Sequence, residues 1–302
     1  MMKNMAIRVE GLRKVYADVV AVDGATFEVH RGEVFGLLGP NGAGKTTILE
    51  CLEGLRQPDD GHLDVMGVDP SRNGRKLRNV IGVQLQTSGL PATMRVDEAM
   101  AFFCAYHGVA ARYDLLDRLG LSEKRSSQFA LLSVGQQRRL ALALAIAHRP
   151  PVLFLDEPTA GLDVASRSEL HLLIDELRVA GTTVVLATHD MAEAEKIAAR
   201  VAILLGGRIV ATGTPRELTA TGEGYTKVSV RTEQSLLCRD GAHFPAVYRR
   251  NVLDDYTVYF SHDPAATVSA ILHYLDERED QLVDLRVERP SLEERFLEIT
   301  ST

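Results

Sequence analysis

The chain has 302 residues, 45% of them hydrophobic, and 34 basic against 41 acidic side chains give it a net charge of −7. That composition suits about two globular domains and excludes disorder as a general description. The longest apolar run, Leu140 to Ala147, is far short of the roughly 18 to 20 residues that cross a bilayer, and Met1 to Arg8 lacks the apolar stretch of a secretory signal, so a cytoplasmic chain is expected.

Residues 1–221 alternate short β-like runs with longer helical stretches, an α/β pattern. Val34 to Leu38, Val152 to Leu155 and Thr182 to Ala187 are nearly all apolar, as strands buried on both faces are. The first is expected to lead through a glycine-rich loop into a helix carrying Ile48, Leu49, Leu52 and Leu55, and a further helix is expected over Gln137 to His148. Val201 to Leu205 and Arg208 to Thr212 flank Gly206-Gly207, a hairpin turn pair.

The glycines of Thr221 to Gly224 mark a boundary, predicting domains over 1–221 and 222–302. In the second, strands are expected over Lys227 to Arg231 and Thr257 to Ser261, followed by a helix from Asp263 with Val268, Ile271, Leu272 and Leu275 on one face. Val283, Leu285 and Val287 alternate with Asp284, Arg286 and Glu288, predicting a half-exposed strand. Ser291 and Glu294 form a capping box for a last helix that buries Leu292, Phe296 and Ile299.

The acidic excess is concentrated in residues 222–302, where nine basic and fifteen acidic side chains leave −6. No segment has the basic excess of a phosphate-backbone binder, so no nucleic-acid partner is expected. Cys51, Cys104 and Cys238 are isolated in sequence and read as reduced thiols, not as a disulfide or a metal site.

Gly39 to Thr46 fits the spacing G-x-x-x-x-G-K-[ST] between an apolar strand and a helix. Such a loop turns successive backbone N–H groups onto phosphate oxygens, and the helix N-terminus adds positive potential. Gly39, Pro40, Asn41, Gly42, Ala43, Gly44, Lys45, Thr46 and Thr47 are the predicted phosphate cradle, with Lys45 on the β and γ phosphates and Thr46 placed for Mg²⁺. Val152 to Asp156 followed by Glu157 ends a second strand in two carboxylates, giving Asp156 as the metal-side acid and Glu157 as the residue that orients or deprotonates water.

Three further segments follow in order: Leu132 to Gln136 ahead of a helix, Pro158-Thr159 leading into Ala160-Gly161-Leu162-Asp163, and Thr188-His189-Asp190 after the next strand. Together with the phosphate loop they resemble the nucleotide-binding subunit of an ABC transporter over residues 5–220. The resemblance implies a P-loop NTPase fold of ABC ATPase type, with a RecA-like core, an antiparallel β subdomain and a helical subdomain over about 87–150, plus a small C-terminal α/β domain.

It further implies ATP and Mg²⁺ as cofactors and ATP hydrolysis as the activity. By that resemblance Tyr16 stacks on adenine, and Gln86 is the glutamine that touches Mg²⁺ and the attacking water, with Gln84 one strand alternation away. His189 contacts the γ-phosphate. Ser133, Gly135 and Gln136 form the signature segment that would complete the site of a second copy, and Asp163 bridges the two copies.

The competent unit implied is a head-to-tail homodimer with ATP in its seam, held on the cytoplasmic face of the membrane by separate multi-span permease subunits. Residues 222–302, notably Pro290 to Glu298, resemble the appendage of bacterial ABC-2 type exporter ATPases. Val134 departs from the family's usual glycine, and a branched side chain there is expected to stiffen the backbone and slow or weaken closure. The competing readings are an ABC ATPase acting on nucleic acid or ribosomes, which usually carries a second cassette or a coiled-coil insertion, and a nucleotide-gated regulator, which the presence of Glu157 and His189 disfavours.

Overall fold

The computed structural model describes residues 4–85, 89–220 and 225–300. They divide into two compact units, Met1–Thr214 and Pro215–Thr302. The division falls before the glycines of 221–224, so the short helix α8 (Pro215–Ala220) belongs with the second unit.

In the first unit, β1 (Met5–Tyr16) pairs antiparallel with both β2 (Val19–His30) and β4 (Asp60–Val65) in a three-stranded sheet. A six-stranded sheet has the order β5 (Ile81–Gln84), β6 (Val152–Asp156), β7 (Thr183–Thr188), β3 (Val34–Leu38), β8 (Arg200–Leu205), β9 (Arg208–Gly213). Every pairing in it is parallel except β8 with β9. Every residue of β3, β6 and β7 is buried, which is why these segments read as unbroken apolar runs.

The helix α1 (Lys45–Leu52) buries Ile48, Leu49, Cys51 and Leu52 in one core shared by the two sheets, and Phe27 of β2 stacks on Phe35 of β3 with ring centroids 5.5 Å apart. Leu55 lies beyond this helix and is exposed, contrary to the periodicity reading, because Gly54 turns the chain away after the C-cap Glu53. After α2 (Gly74–Val80), the chain between β5 and β6 holds α3 (Val96–Tyr106), α4 (Tyr113–Arg118) and α5 (Val134–Ile146). The helix α6 (Val164–Val179) joins β6 to β7, and α7 (Met191–Ile197) joins β7 to β8.

The second unit runs β10 (Thr226–Thr232), α9 (Leu236–Asp240), β11 (Val247–Leu253), β12 (Tyr256–Ser261), α10 (Pro264–Asp276), β13 (Leu282–Glu288), then α11 (Leu292–Thr300). Its antiparallel sheet has the order β11-β12-β10-β13, the arrangement of a ferredoxin-like βαββαβ module. Val228, Val230, Leu237, Tyr259, Ile271 and Leu275 form its core. Asp263 caps α10 by accepting from the Ala266 N–H at 3.0 Å, and Ser291 with Glu294 closes the predicted capping box of α11.

Two expectations in this unit need correction. Val283 and Val287 are exposed, because β13 is a sheet edge where only Leu285 reaches the core. On α11 Leu292 is fully buried, but Phe296 and Ile299 are only half-buried. The cysteines are free, with Cys51 and Cys104 buried. Among the described residues no helix is long and apolar enough to cross a membrane.

Candidate active site

Parallel strands that end side by side bring their following loops together at one edge of the sheet. Here β3, β6 and β7 are neighbours, so the loop Gly39–Gly44, the pair Asp156-Glu157 and the segment Thr188-His189 converge. The loop has no room for larger residues at its ends. A Cβ on Gly39 would stand 2.3 Å from the Leu204 carbonyl oxygen, and one on Gly44, at φ +107°, would stand 2.4 Å from that of Ala21. Gly44 also gives α1 an N-cap without a side chain, and no acidic residue follows in the first turn, so the helix N-terminus keeps its donors and its positive end for an anion.

Lys45 is buried, and its ammonium donates to the carbonyls of Gly39 at 2.7 Å and Pro40 at 3.2 Å. It also stands 3.6 Å from Glu157 Oε1. Thr46 donates its hydroxyl to Asp156 Oδ2 at 2.8 Å, while Asp156 Oδ1 is buried without a hydrogen-bond partner. Burial pushes the Asp156 carboxyl above its ordinary range, opposed by the Thr46 hydrogen bond and reinforced by the Glu157 charge.

An orphaned carboxylate oxygen beside a hydroxyl is a hard-oxygen donor pair that fits Mg²⁺ shared with phosphate oxygens. No cluster of three or more His, Cys, Asp or Glu residues among the described residues offers an all-protein metal cage.

Glu157 holds φ at +48°, a left-handed conformation that non-glycine residues seldom adopt and that costs on the order of 1–3 kcal/mol. Its N–H donates to the Ala187 carbonyl at 2.9 Å, and its own carbonyl accepts from Arg138 at 2.8 Å, so α5 and β7 together fix it. Its carboxylate meets His189 Nδ1 at 2.8 and 2.9 Å. The His189 side chain is half exposed, so its far ring edge faces solvent, whereas Glu157 is buried.

Tyr16 is 37% exposed at the end of β1, with Lys14 and Arg56 near its ring, and is not a core tyrosine. Ser133, read as preceding a helix that starts at Gln137, is instead the N-cap of α5, and Val134, Gly135 and Gln136 form the first turn. The Ser133 hydroxyl accepts from the Gln136 N–H at 3.3 Å, and the Gln136 side chain returns the bond to the Ser133 N–H at 2.9 Å.

Since Val134 already sits in helical backbone, the restriction imposed by its Cβ matches the local conformation and stiffens nothing further. Asp163 caps α6 through the Ser166 N–H at 2.8 Å and hydroxyl at 3.1 Å, bonds that hold its carboxyl below the ordinary range. Among the described residues, none of the hydrogen bonds of Ser133, Gln136 or Asp163 reaches the phosphate loop. Gln86 lies outside the described residues, whereas Gln84 is buried with its Oε1 unpaired.

Sequence reasoning missed Arg138 and a buried group behind the carboxylates, made of Thr159, His171 and Glu193 around Thr188. Only the step from Asp190 to Glu193, a helix cap three residues before an acid, hinted at any of them.

A parallel-centred sheet, a glycine loop opening a helix and paired carboxylates at the next strand end define a P-loop nucleoside triphosphatase. The family model for ABC transporters matches residues 22–160. The daunorubicin resistance ATP-binding protein DrrA3 of Streptomyces coeruleorubidus is 35% identical, covering 99% of this chain and 97% of its own. A Nod factor export ATP-binding protein I from Paraburkholderia xenovorans is 36% identical, covering 99% and 98%. Among solved structures, the ATP-binding subunit of an ABC transporter superposes with a TM-score of 0.67 at 28% identity, covering 70% of this chain and 91% of that one. The chain belongs to the ABC transporter ATP-binding family; it binds and hydrolyses ATP.

Proposed function

We propose that this chain is the ATPase subunit of an exporter and works as a head-to-tail homodimer on the cytoplasmic face of the membrane, attached to separate permease subunits. The full-length likeness to proteins named for drug resistance and Nod factor export supports the export reading.

One observation carries the catalytic part: Glu157 meets Lys45 at 3.6 Å and His189 at 2.8 Å where adjacent strands end, beside the Thr46–Asp156 pair. Thr46 and Asp156 would hold Mg²⁺, which neutralises phosphate charge when bound. Lys45 and the backbone N–H groups of residues 41–47 bind the β and γ phosphates, and to do so Lys45 exchanges its carbonyl partners for phosphate oxygens.

Glu157 accepts the proton of the attacking water, and His189 Nδ1–H holds that carboxylate in one orientation while the exposed ring edge turns to the γ-phosphate. Tyr16 supplies the adenine platform. Ser133, Gly135, Gln136 and Asp163 serve the partner copy, a reading supported by the exposed apolar residues Leu131 and Val164 beside them. Gln86, by its place in the family pattern, would reach the Mg²⁺ and pass its state to the permease.

Glu157→Gln tests both halves at once. The variant is expected to bind ATP, hydrolyse it at least 100-fold more slowly and elute as a dimer on sizing with ATP. A variant that turns over like the parent removes Glu157 from catalysis, and one that binds ATP yet stays monomeric removes the seam.

A further inference from the structure

Behind the Glu157–His189 pair lies a second carboxylate that the mechanism above leaves without a task. Glu193, on the first turn of α7, has a side chain with no solvent exposure. Its Oε2 accepts from Thr159 Oγ1 at 2.9 Å and from Thr188 Oγ1 at 3.1 Å, and its Oε1 lies 3.0 Å from His171 Nε2. His171 Nδ1 is buried without a partner, so the tautomer that donates from Nε2 leaves only a lone pair unmet.

The three donors come from three places: Thr159 is two residues after Glu157, Thr188 is one residue before His189, and His171 is in the middle of α6. A buried carboxylate bonded to three donors from separate elements fixes their spacing, since losing any one leaves the buried charge a donor short in a dry site.

The Thr188 hydroxyl accepts from the Asp190 N–H at 3.0 Å and has one proton to give, with Glu193 Oε2 at 3.1 Å and Glu157 Oε2 at 3.5 Å as competing acceptors. The shorter contact goes to Glu193, which leaves Glu157 Oε2, already 2.9 Å from His189 Nδ1, its second lone pair to take a proton from water.

We propose that Glu193 is a positioning residue for ATP hydrolysis: it ties the Glu157 end of β6, the His189 end of β7 and α6 into one unit and draws the Thr188 proton away from Glu157. The inference rests on the reading of Glu157 and His189 as the catalytic pair. It also makes α6, which begins at Val164 just after its cap Asp163, a route by which movement at that helix reaches both residues.

Steady-state ATPase assays on the full chain test it, with melting temperature and the KM for ATP measured alongside. Thr159→Val, which removes one donor while Glu193 keeps two, is expected to lower kcat by about 3- to 10-fold with KM within about twofold, because sub-ångström misplacement of a catalytic group acts on turnover. Glu193→Leu is expected to lower kcat at least tenfold. Glu193→Gln, which still accepts from both threonines through its carbonyl oxygen and donates its amide to His171 Nε2 once the imidazole proton moves to the buried, unpartnered Nδ1, is expected to melt lower but to keep at least half of the parent's kcat.

Should Glu193→Leu not fold, Thr159→Val and Glu193→Gln decide the matter. Parent-like kcat in Thr159→Val overturns the proposal, as does a kcat for Glu193→Gln as low as that of Thr159→Val, or a fall in activity carried by KM. Glu157→Gln serves as the control: if it is inactive while Thr159→Val turns over normally, only the role of Glu193 fails, and if it is fully active the catalytic reading fails first.

Discussion

His189 Nδ1 stands 2.8 Å from one oxygen of Glu157 and 2.9 Å from the other, so a single ring N–H is shared across the whole carboxylate. Such a fork limits rotation of the carboxylate and, with the +48° φ of Glu157, holds the acid in a strained but fixed orientation. His189→Ala is expected to lower kcat by at least 100-fold while the affinity for ATP changes by less than about threefold, because the phosphate loop and Tyr16 are untouched. A nucleotide-binding titration beside a phosphate-release assay separates the two quantities; a large loss of affinity would place His189 among the ground-state contacts.

Tyr16 offers a ring that is partly open to solvent and flanked by the cations of Lys14 at 5.5 Å and Arg56 at 5.7 Å. Base stacking on an aromatic ring contributes roughly 1–3 kcal/mol by alanine substitution. Tyr16→Ala should therefore weaken ATP binding by about tenfold and leave the maximal rate near that of the parent. Tyr16→Phe should behave like the parent, and a loss there equal to that in alanine would assign the effect to the hydroxyl.

The parts of the fold and site that could be read from the sequence are those in which neighbours in the chain are also neighbours in space. The phosphate loop, the acids ending β6 and the histidine after β7 are each a short segment with its strand or helix attached, and the all-apolar runs of β3, β6 and β7 announce burial on both faces. Arg138 and Glu193 are invisible because Glu157, the partner of Arg138, and Thr159 and His171, two of the three partners of Glu193, are 19 to 34 residues away and meet them only when the sheet forms.

β11 shows no apolar alternation for a local reason: Arg249, Arg250 and Asn251 interrupt its apolar residues, as an edge strand allows. The helix α5 begins three residues ahead of Gln137, and the sequence carries the signal for it, since Ser133 and Gln136 have the spacing of a capping box.

Glu53 carries a pH dependence that no motif announces. It is buried at the C-cap of α1 with Oε2 unpaired, and burial, followed by the charges of Asp156 and Glu50, pushes its carboxyl up to about 8. In the unfolded chain the same group titrates near about 4.3. Between these values the folded chain holds a proton that the unfolded chain has lost, so stability falls as pH rises from about 4.5 to 8.

Glu53→Gln removes this titration, and its advantage over the parent should grow as pH rises through that window, by about 1.4 kcal/mol for each step of one in pH and to a few kcal/mol at most. Thermal melts of both proteins at pH 5, 6, 7 and 8 check it. A gap in melting temperature that stays constant would mean Glu53 does not titrate in this range.

His148 acts in the opposite direction. Burial, then the neighbouring His107 ring stacked on it at 3.7 Å, pushes its imidazole down to about 4, while its hydrogen bond to the Ile81 carbonyl works against them. The unfolded chain therefore takes up a proton here before the folded one does, and stability drops as pH falls from about 6.5 to 4. His148→Gln should flatten the acid side of the melting-temperature profile below pH 6.5 and leave the alkaline side unchanged. Parallel profiles for parent and variant would remove His148 from the acid response.

Val134 is the one place where the signature segment departs from the family pattern, and its position at the first residue of α5 decides what the departure does. The side chain is 61% exposed, the backbone is helical, and the capping box between Ser133 and Gln136 closes around it without using its side chain. Glycine in its place gains freedom in the unfolded chain that folding must remove, about 0.5–1 kcal/mol in a helix interior and less at a first turn. Val134→Gly should therefore lower the melting temperature by a few degrees at most and leave the ATPase rate within about twofold of the parent. A tenfold fall in rate with unchanged ATP affinity would instead show that the exposed isopropyl group makes a contact in the closed dimer, and would move Val134 from a tolerated substitution to a part of the seam.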